Sequence, residues 1–335
     1  LVNYSLFFRN GGEKISIMEK LVEKAVGRIF ELSIGATQEE GGTRGRVVKV
    51  GGQNVLPFLR FEGDMPNQPA IAMEVWDTPP EEEWPWFCQT FKDIVSDAIS
   101  WVKFCESQEP DLICLRLVST HPDKKNTSAG DAAKLVKEVL SATSLPLIVI
   151  GSGHIEKDCE VLPEVCEVCK GEKILIGMAT KDNYRTIVAA AISGGHSVIA
   201  ETPLDINLAK QLNILISDAG LPLERIVMHH TTGGLGYGFE YCYSIMERCR
   251  IAALQQGDKV MSTPIINMVA EETWKVKEAK SSVEENPTWG ELNSRGPMWE
   301  LITASAYLQA GSDILVVAHP HSVKYLRKII SSLME

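Results

Sequence analysis

The sequence predicts an α/β protein: a single (β/α)8 (TIM) barrel over residues 69–335, preceded by an N-terminal extension and hairpin arm over residues 1–68. Three observations predict it. From Pro69 onward, eight short apolar runs alternate with eight amphipathic stretches. The apolar runs lack the strict polar alternation of a half-exposed sheet, so they read as parallel strands buried on both faces. The repeats also fill about 265 residues, a length that suits eight strand–helix units. A doubly wound open sheet shares this periodicity and stands as the alternative.

The strand candidates are Ala70–Trp76, Asp111–Leu117, Pro146–Ile150, Ile174–Met178, Ser197–Ala200, Arg225–Met228, Pro264–Met268 and Asp313–Val317. Each is bounded by Gly, Pro, Thr or Asp. The helix candidates between and after them are Trp86–Glu106, Ala129–Ala142, Lys157–Lys170, Asn183–Ser193, Ile206–Ala219, Phe239–Gln256, Pro297–Ala310 and Ser322–Leu333. Boundary residues agree with these spans. Ser128-Ala-Gly-Asp131 is a capping-box pattern, its carboxylate expected to return to the N-cap amide. Asp205 stands where an N-cap belongs, and Gly194-Gly195 and Gly220 fall where left-handed caps end helices.

Two stretches depart from the alternation. In residues 18–68, Leu21–Leu32 is expected to be helical, and Gly41-Gly-Thr-Arg-Gly-Arg-Val-Val-Lys-Val-Gly-Gly52 reads as a hairpin with glycine turns. Glu271–Gly296, rich in Glu, Lys, Ser and Pro, is expected to be a long loop on the barrel's C-terminal face, where such loops shape sites. The chain does not begin with Met, and Met18 opens a better-patterned segment. Residues 1–17 are therefore set apart as an extension from an alternative start.

Composition narrows the function classes. The chain has 335 residues, 44% of them hydrophobic, and a net charge of −11 with no Lys/Arg-rich run. Phosphate-lined partners such as nucleic acid or an anionic membrane would be repelled by that charge. No apolar stretch reaches the roughly 18 residues of a membrane-spanning helix. The eight cysteines are scattered through predicted helices and strands, which points to reduced thiols and a cytoplasmic protein.

The segment with most chemical content is Met228-His-His-Thr-Thr-Gly-Gly-Leu-Gly-Tyr-Gly238, leaving the sixth strand candidate for its helix. Glycines let backbone amides approach an anion or a planar ligand, and a helix N-terminus adds partial positive charge. It is neither a Walker loop, since no Gly-Lys-Ser/Thr follows, nor a dinucleotide fingerprint, since Phe239 stands where the third glycine belongs. A tight strand–helix turn accounts for the same glycines without any ligand.

Other constellations carry less. His229 and His230 with His319 and His321 would bring up to three imidazoles to the barrel mouth, but adjacent strand residues face opposite ways, so only one of His229 and His230 points inward. Metal-site readings of this kind lack their usual carboxylate ligands, and polar mouth residues bonded to backbone explain the histidines. Cys159, Cys166 and Cys169 lie in one helix without a fourth ligand, so they read as ordinary helix cysteines and not as an iron–sulfur motif. Glu74 and Arg116 are lone charges in neighbouring strands, which predicts a buried ion pair inside the barrel. Glu201 with Glu271 or Glu272 could supply the two carboxylates of a glycosidase, though nothing in the spacing demands it. Asp205, Asn207 and Asn267 lie near strand ends and suit an amide-rich ligand or a pterin ring, while helix capping explains Asp205 equally well. On residues alone the reading stops at a barrel with a glycine-rich ligand loop.

Longer strings go further. Ile34-Gly-Ala-Thr-Gln-Glu-Glu-Gly-Gly-Thr-Arg-Gly45, Pro69-Ala-Ile-Ala-Met-Glu-Val-Trp-Asp77, Asp111-Leu-Ile-Cys-Leu-Arg-Leu-Val-Ser-Thr120 and Thr231-Thr-Gly-Gly-Leu-Gly-Tyr-Gly238 carry the signal. So do Leu56-Pro-Phe58, Ile150-Gly-Ser-Gly153, Asp205-Ile-Asn-Leu-Ala-Lys-Gln-Leu-Asn-Ile-Leu215 and Tyr243-Ser-Ile-Met-Glu-Arg248. Together they resemble the small (delta) subunit of the corrinoid/iron–sulfur protein of the acetyl-CoA synthase/carbon monoxide dehydrogenase pathway. The likeness covers nearly everything after residue 30. It departs at His229-His230, where the family pattern leads us to expect an Asp-Pro pair.

The resemblance implies a heterodimer. A large corrinoid/iron–sulfur subunit would hold the cobalamin and the iron–sulfur cluster, and this chain would cover the corrinoid with its barrel mouth. Methyltetrahydrofolate methyltransferase and acetyl-CoA synthase would be transient partners, giving and receiving the methyl group. This chain lacks both a cluster motif and the Asp-x-His-x-x-Gly motif that supplies a cobalt ligand, in keeping with a supporting, non-catalytic role. By their position on the C-terminal face, the corrinoid contacts are expected at Asp205, Asn207, Thr231, Thr232, Gly233, Gly234 and Tyr237. Two other classes remain open here: a pterin-dependent methyltransferase in its own right, and a metal-dependent barrel hydrolase using His229, His319 and His321.

Overall fold

The computed structural model describes residues 22–335. The expected extension at residues 1–17, and Leu21, lie outside them. Two strands come first, β1 (Glu31–Ile34) and β2 (Val48–Gly51). β3 (Ala70–Trp76) is followed by three short helices, α1 (Pro85–Thr90), α2 (Lys92–Val95) and α3 (Ala98–Glu106). Then β4 (Leu112–Arg116) leads to α4 (Ala129–Ala142), and β5 (Leu147–Ile150) to α5 (Ile155–Val168). β6 (Leu175–Ala179) leads to α6 (Tyr184–Gly194), β7 (Ser197–Thr202) to α7 (Ile206–Asp218), and β8 (Ile226–His230) to α8 (Phe239–Leu254). β9 (Ile266–Met268) is followed by α9 (Val269–Trp274), α10 (Lys277–Lys280) and α11 (Leu292–Gln309), and β10 (Ile314–Val317) by α12 (Pro320–Met334).

The eight strands β3–β10 form one parallel sheet in the order β8-β7-β6-β5-β4-β3-β10-β9. A parallel bridge between Met228 and Ile265 joins the two ends, with the Met228 amide donating to the Pro264 carbonyl at 2.8 Å. That bridge closes the barrel and removes the open-sheet alternative. Because side chains alternate along a strand, one parity fills the interior: Ala72, Cys114, Ile148, Ile199, Val227, Ile266 and Val316 belong to one buried cluster. The other parity, including Met73, Leu115, Val149, Val198 and Leu315, packs under the helices.

The N-terminal segment closes the lower end. β1 and β2 pair antiparallel from Glu31↔Gly51 to Ile34↔Val48, and Leu32, Ile34 and Val50 join the interior cluster. The hairpin is therefore built from Glu31–Ile34 and Val48–Gly51, not within Gly41–Gly52 as the glycines suggested. The expected helix over Leu21–Leu32 is also absent from its described part. The chain there bends at Val26 against the end of α8, with the Val26 and Gly27 amides both donating to the Leu254 carbonyl at 2.8 Å. Gly27 is required for that approach, since a Cβ would sit 2.0 Å from the Ala253 carbonyl oxygen.

Three further expectations change. Trp86–Glu106 is broken into three helices, because Asp97 caps a new one by accepting from the Ser100 amide at 2.8 Å. Glu271–Gly296 is largely short helices and turns, and α11 begins at Leu292, five residues before the expected start at Pro297. At the α4 start, Ser128 accepts from the Asp131 amide, but the Asp131 carboxylate takes the Ser128 hydroxyl and not the N-cap amide.

Candidate functional site at the barrel mouth

Strand ends bring polar side chains into the C-terminal mouth. Glu74 from β3 and Arg116 from β4 form the expected ion pair, Arg116 Nε donating to Glu74 Oε1 at 2.7 Å. Glu271, on α9, accepts from Arg116 Nη2 at 2.8 Å, and Trp76 Nε1 donates to Glu74 Oε1. Burial raises the Glu74 carboxyl above its ordinary range; Arg116 opposes that rise and the charge of Glu271 adds to it.

Across the mouth, β7 and β8 place Glu201 directly beside His229 in register. His229 Nδ1 lies 3.2 Å from Glu201 Oε1, and its Nε2 lies 3.1 Å from the Thr232 hydroxyl oxygen, which also accepts from the Met268 amide at 2.8 Å. Burial works against ionisation of Glu201. The hydrogen bond and charge of His229, with the charge of Arg116, outweigh it and hold the carboxyl below its ordinary range. His230 takes the opposite parity, as strand geometry required. It packs among Cys249, Cys242 and α8, and burial pulls it down to about 3.

The glycine-rich loop leaves β8 at Thr231, whose φ of 28° is unusual for a β-branched residue. Its hydroxyl donates to the Thr202 carbonyl at 3.0 Å. Tyr307 of α11 fastens the next turn: its hydroxyl accepts from the Gly233 amide at 3.0 Å and donates to the Gly233 carbonyl. A Cβ at Gly233 would lie 2.6 Å from the Gly238 carbonyl carbon, so glycine is what lets the loop fold back on itself. The Tyr237 amide donates to the Gly234 carbonyl, and the Tyr237 hydroxyl to Glu278 at 3.1 Å.

The residues singled out from the sequence divide accordingly. Asn207, Thr231 and Tyr237 are exposed on the C-terminal face; Thr232, Gly233 and Gly234 are buried behind them. Asp205, also exposed, caps α7 by accepting from the Asn207 and Leu208 amides. Asn267 faces away from the mouth toward Cys242 and Met246. Beside this face is a cleft of about 390 Å³, lined by Thr180, Lys181 and Asp182 after β6, Glu201, Thr202 and Pro203 at the end of β7, Thr231, and Leu208, Gln211, Leu212 and Leu215 of α7.

A sequence model of the CO dehydrogenase/acetyl-CoA synthase delta subunit matches residues 31–319. The chain belongs to that family. The acetyl-CoA decarbonylase/synthase complex subunit delta of Archaeoglobus fulgidus is 38% identical over 321 residues, covering 94% of this chain and 70% of that protein. The subunit of the same name from Methanocaldococcus jannaschii is 36% identical over 317 residues, covering 94% and 76%. Among solved structures, dihydropteroate synthase from Thermus thermophilus superposes with a TM-score of 0.53 over 83% of this chain and 99% of that one, at 14% identity. A Xanthomonas albilineans dihydropteroate synthase in complex with 7,8-dihydropteroate gives 0.52 over 80% and 94%, at 13% identity. Identities this low bear on the fold alone, and they agree with the closed barrel.

For this delta-family chain the remaining candidates separate. His319 does not meet His229: it stacks with Trp274 and Trp86, ring centroids 5.9 and 6.2 Å apart, and caps α12 by accepting from the His321 amide. Burial pulls it down to about 4. Among the described residues no group of three His, Cys, Asp or Glu is placed to hold a metal ion. Cys159 and Cys166 lie on α5 and Cys169 caps its end, as ordinary helix cysteines do. Two residues that organise the face escaped the sequence reading, Tyr307 and Glu300. Glu300 is fully buried and accepts from Trp274 Nε1, the Ala318 and His319 amides and the Ser322 hydroxyl. Its signal was a single charge within the otherwise uncharged run Pro297–Gln309, akin to the lone strand charges that revealed Glu74 and Arg116.

Proposed function

We propose that this chain is the small subunit of a corrinoid/iron–sulfur methyl carrier, lying over a cobalamin whose main holder is a larger partner subunit. Membership of the delta-subunit family is the observation that carries this reading. The larger partner would also carry the iron–sulfur cluster, and the pair would work in the cytoplasm. It would exchange methyl groups with a methyltetrahydrofolate methyltransferase, or one using a related pterin, and with acetyl-CoA synthase.

When bound, the corrinoid supplies a cobalt that carries the methyl group. The residues of this chain suit a cover for it. The C-terminal face offers neutral polar side chains at Asn207, Thr231 and Tyr237, which match the amide-fringed edge of a corrin ring. Thr232, Gly233 and Gly234 act from behind by fixing the loop, and Asp205 by fixing the start of α7. The imidazole of His230 is buried beside Cys249, and that of His319 is stacked against Trp274 and Trp86, so neither is offered to cobalt. The chain excludes water and orients the cofactor, with no bond-making step of its own.

Co-expression with the corrinoid-binding partner tests this. The expected product is a stable 1:1 complex with a cobalamin absorption spectrum. A purified pair with no corrinoid, or no complex, refutes the proposal.

A further inference from the structure

The guanidinium of Arg116 is only partly used by the fold. Ala72, Cys114, Ile199 and Val227 fill the barrel interior. Two residues further along the same strands, with the same parity, stand Glu74, Arg116, Glu201 and His229. All four project into the C-terminal mouth, the end of a barrel where ligand sites are built. Arg116 is 9% exposed, its Nε taken by Glu74 and its Nη2 by Glu271. Nη1 has no hydrogen-bond partner within the protein, and unlike the sealed Glu74 Oε2 it is reached by solvent. Because the guanidinium is a rigid planar fork, fixing Nε and Nη2 also fixes the direction of the two N–H groups on Nη1.

The neighbours decide what chemistry fits. Glu271 gives Oε2 to Arg116 and leaves Oε1 free on a partly exposed side chain. Glu201, held ionised beside His229, adds a second negative charge whose influence reaches Arg116. An anionic group would meet both carboxylates and be repelled. A cationic group would leave Nη1 without an acceptor and set another positive charge beside it. A neutral group with a carbonyl oxygen next to an N–H meets both demands, its oxygen accepting from Nη1 and its N–H donating to Glu271 Oε1. The indole of Trp76, its ring centroid 5.8 Å from the guanidinium carbon, stands beside this pair.

We propose that the barrel mouth is a binding site for a small neutral carboxamide or lactam, seated between Arg116 Nη1 and Glu271 Oε1. This goes beyond the cover role proposed above and does not depend on it, because both residues of the seat belong to this chain.

Benzamide, benzoate and benzamidinium test it on the full chain alone, since they share one ring and differ only in the charge and hydrogen bonding of the group it carries. Binding is read by NMR on the Trp76 indole N–H, which donates to Glu74 Oε1 and is one of seven indole signals, assigned with Trp76→Phe. Benzamide should shift that signal saturably, with the roughly millimolar Kd of a ligand so small. Benzoate should bind about tenfold more weakly, the loss of one hydrogen bond to a charged group, and benzamidinium at least as weakly. Glu271→Gln, at a partly exposed position, should bring benzamide and benzoate to within about threefold of each other. Arg116→Met should abolish benzamide binding in protein that circular dichroism shows to be folded, and Glu271→Gln carries the test if that variant does not fold. The assignment is overturned if benzamide leaves the Trp76 signal unmoved, if either charged probe binds as well as benzamide, or if Glu271→Gln leaves the gap unchanged. A chain that binds benzamide but forms no corrinoid complex refutes the cover reading alone.

Discussion

Replacing Arg116 with Met isolates the electrostatics of the barrel mouth. Arg116 bonds the fully buried Glu74 at 2.7 Å and the partly exposed Glu271 at 2.8 Å. Without it, Glu74 must stay ionised in a dry interior or take up a proton. Breaking a buried pair from one side costs about 3–5 kcal/mol. Over 335 residues, an unfolding entropy of about 2.1 cal/mol/K per residue gives about 0.7 kcal/mol/K, so Tm should fall by about 4–7 °C near neutral pH.

The pH dependence gives the sharper test. Burial already places the folded Glu74 carboxyl above its ordinary value of 4.5, so between that value and the raised one the folded state binds the extra proton. Stability from this group is therefore full at low pH and is lost as pH rises through the folded value. Losing Arg116 removes the influence that opposes the rise, so the window widens and the variant's deficit should be larger at about pH 8 than at about pH 5.5. The double variant Glu74→Gln/Arg116→Met removes the stranded acid and should recover most of the loss. Thermal melts followed by circular dichroism at both pH values, on all three proteins, decide it. A single-variant deficit that is negligible or independent of pH, or a double variant no better than the single, would refute the reasoning.

Three other outcomes follow from the site. Tyr307→Phe leaves the buried Gly233 amide and carbonyl without their partner, and should cost about 1–3 kcal/mol in urea unfolding while speeding proteolytic cleavage in the 231–238 loop. Asp205→Ala should cost about 1 kcal/mol through loss of the α7 cap, and Asp205→Asn much less; corrinoid retention that falls equally in both would show a contact role beyond capping. Glu201 has a lowered carboxyl, so its bond to His229 stabilises the fold above the unfolded value of 4.5 and that contribution fades as pH falls through the folded value. Glu201→Gln should flatten this acid limb of the stability profile, measured as Tm against pH.

The barrel was legible because strand signals survive in short windows. Ala70–Trp76 matches its observed span residue for residue, and the other seven strand candidates differ only at their ends. What failed depended on distant residues. Nothing local to Leu21–Leu32 announces that the Val26 and Gly27 amides will be taken by the Leu254 carbonyl, so the helix expected there does not appear in its described part. Pro297 stood at the expected start of its helix, yet α11 begins at Leu292 and carries Pro297 within it; Gly296 beside it packs so closely on Trp274 that a Cβ would sit 2.6 Å from Trp274 Cζ3. Within the site, the Glu74–Arg116 pair followed from lone charges in neighbouring apolar strands, and the division of labour between His229 and His230 from strand parity. The separation of His319 from His229 did not, because a loop sets it. The role of Tyr307 was hidden for another reason: in sequence it is one more apolar position of a buried helix face.

The fastening of Gly233 by Tyr307 has a consequence for how the face meets other molecules. The loop after β8 and helix α11 are tied together through one phenol, and Thr232 ties the same loop to the last residue of β9. Segments that would otherwise move independently are thereby ordered as one rim before any partner arrives. Association then has little conformational freedom left to remove on this side, and the ordering cost falls on the approaching molecule. Each encounter at such a face starts from the same shape.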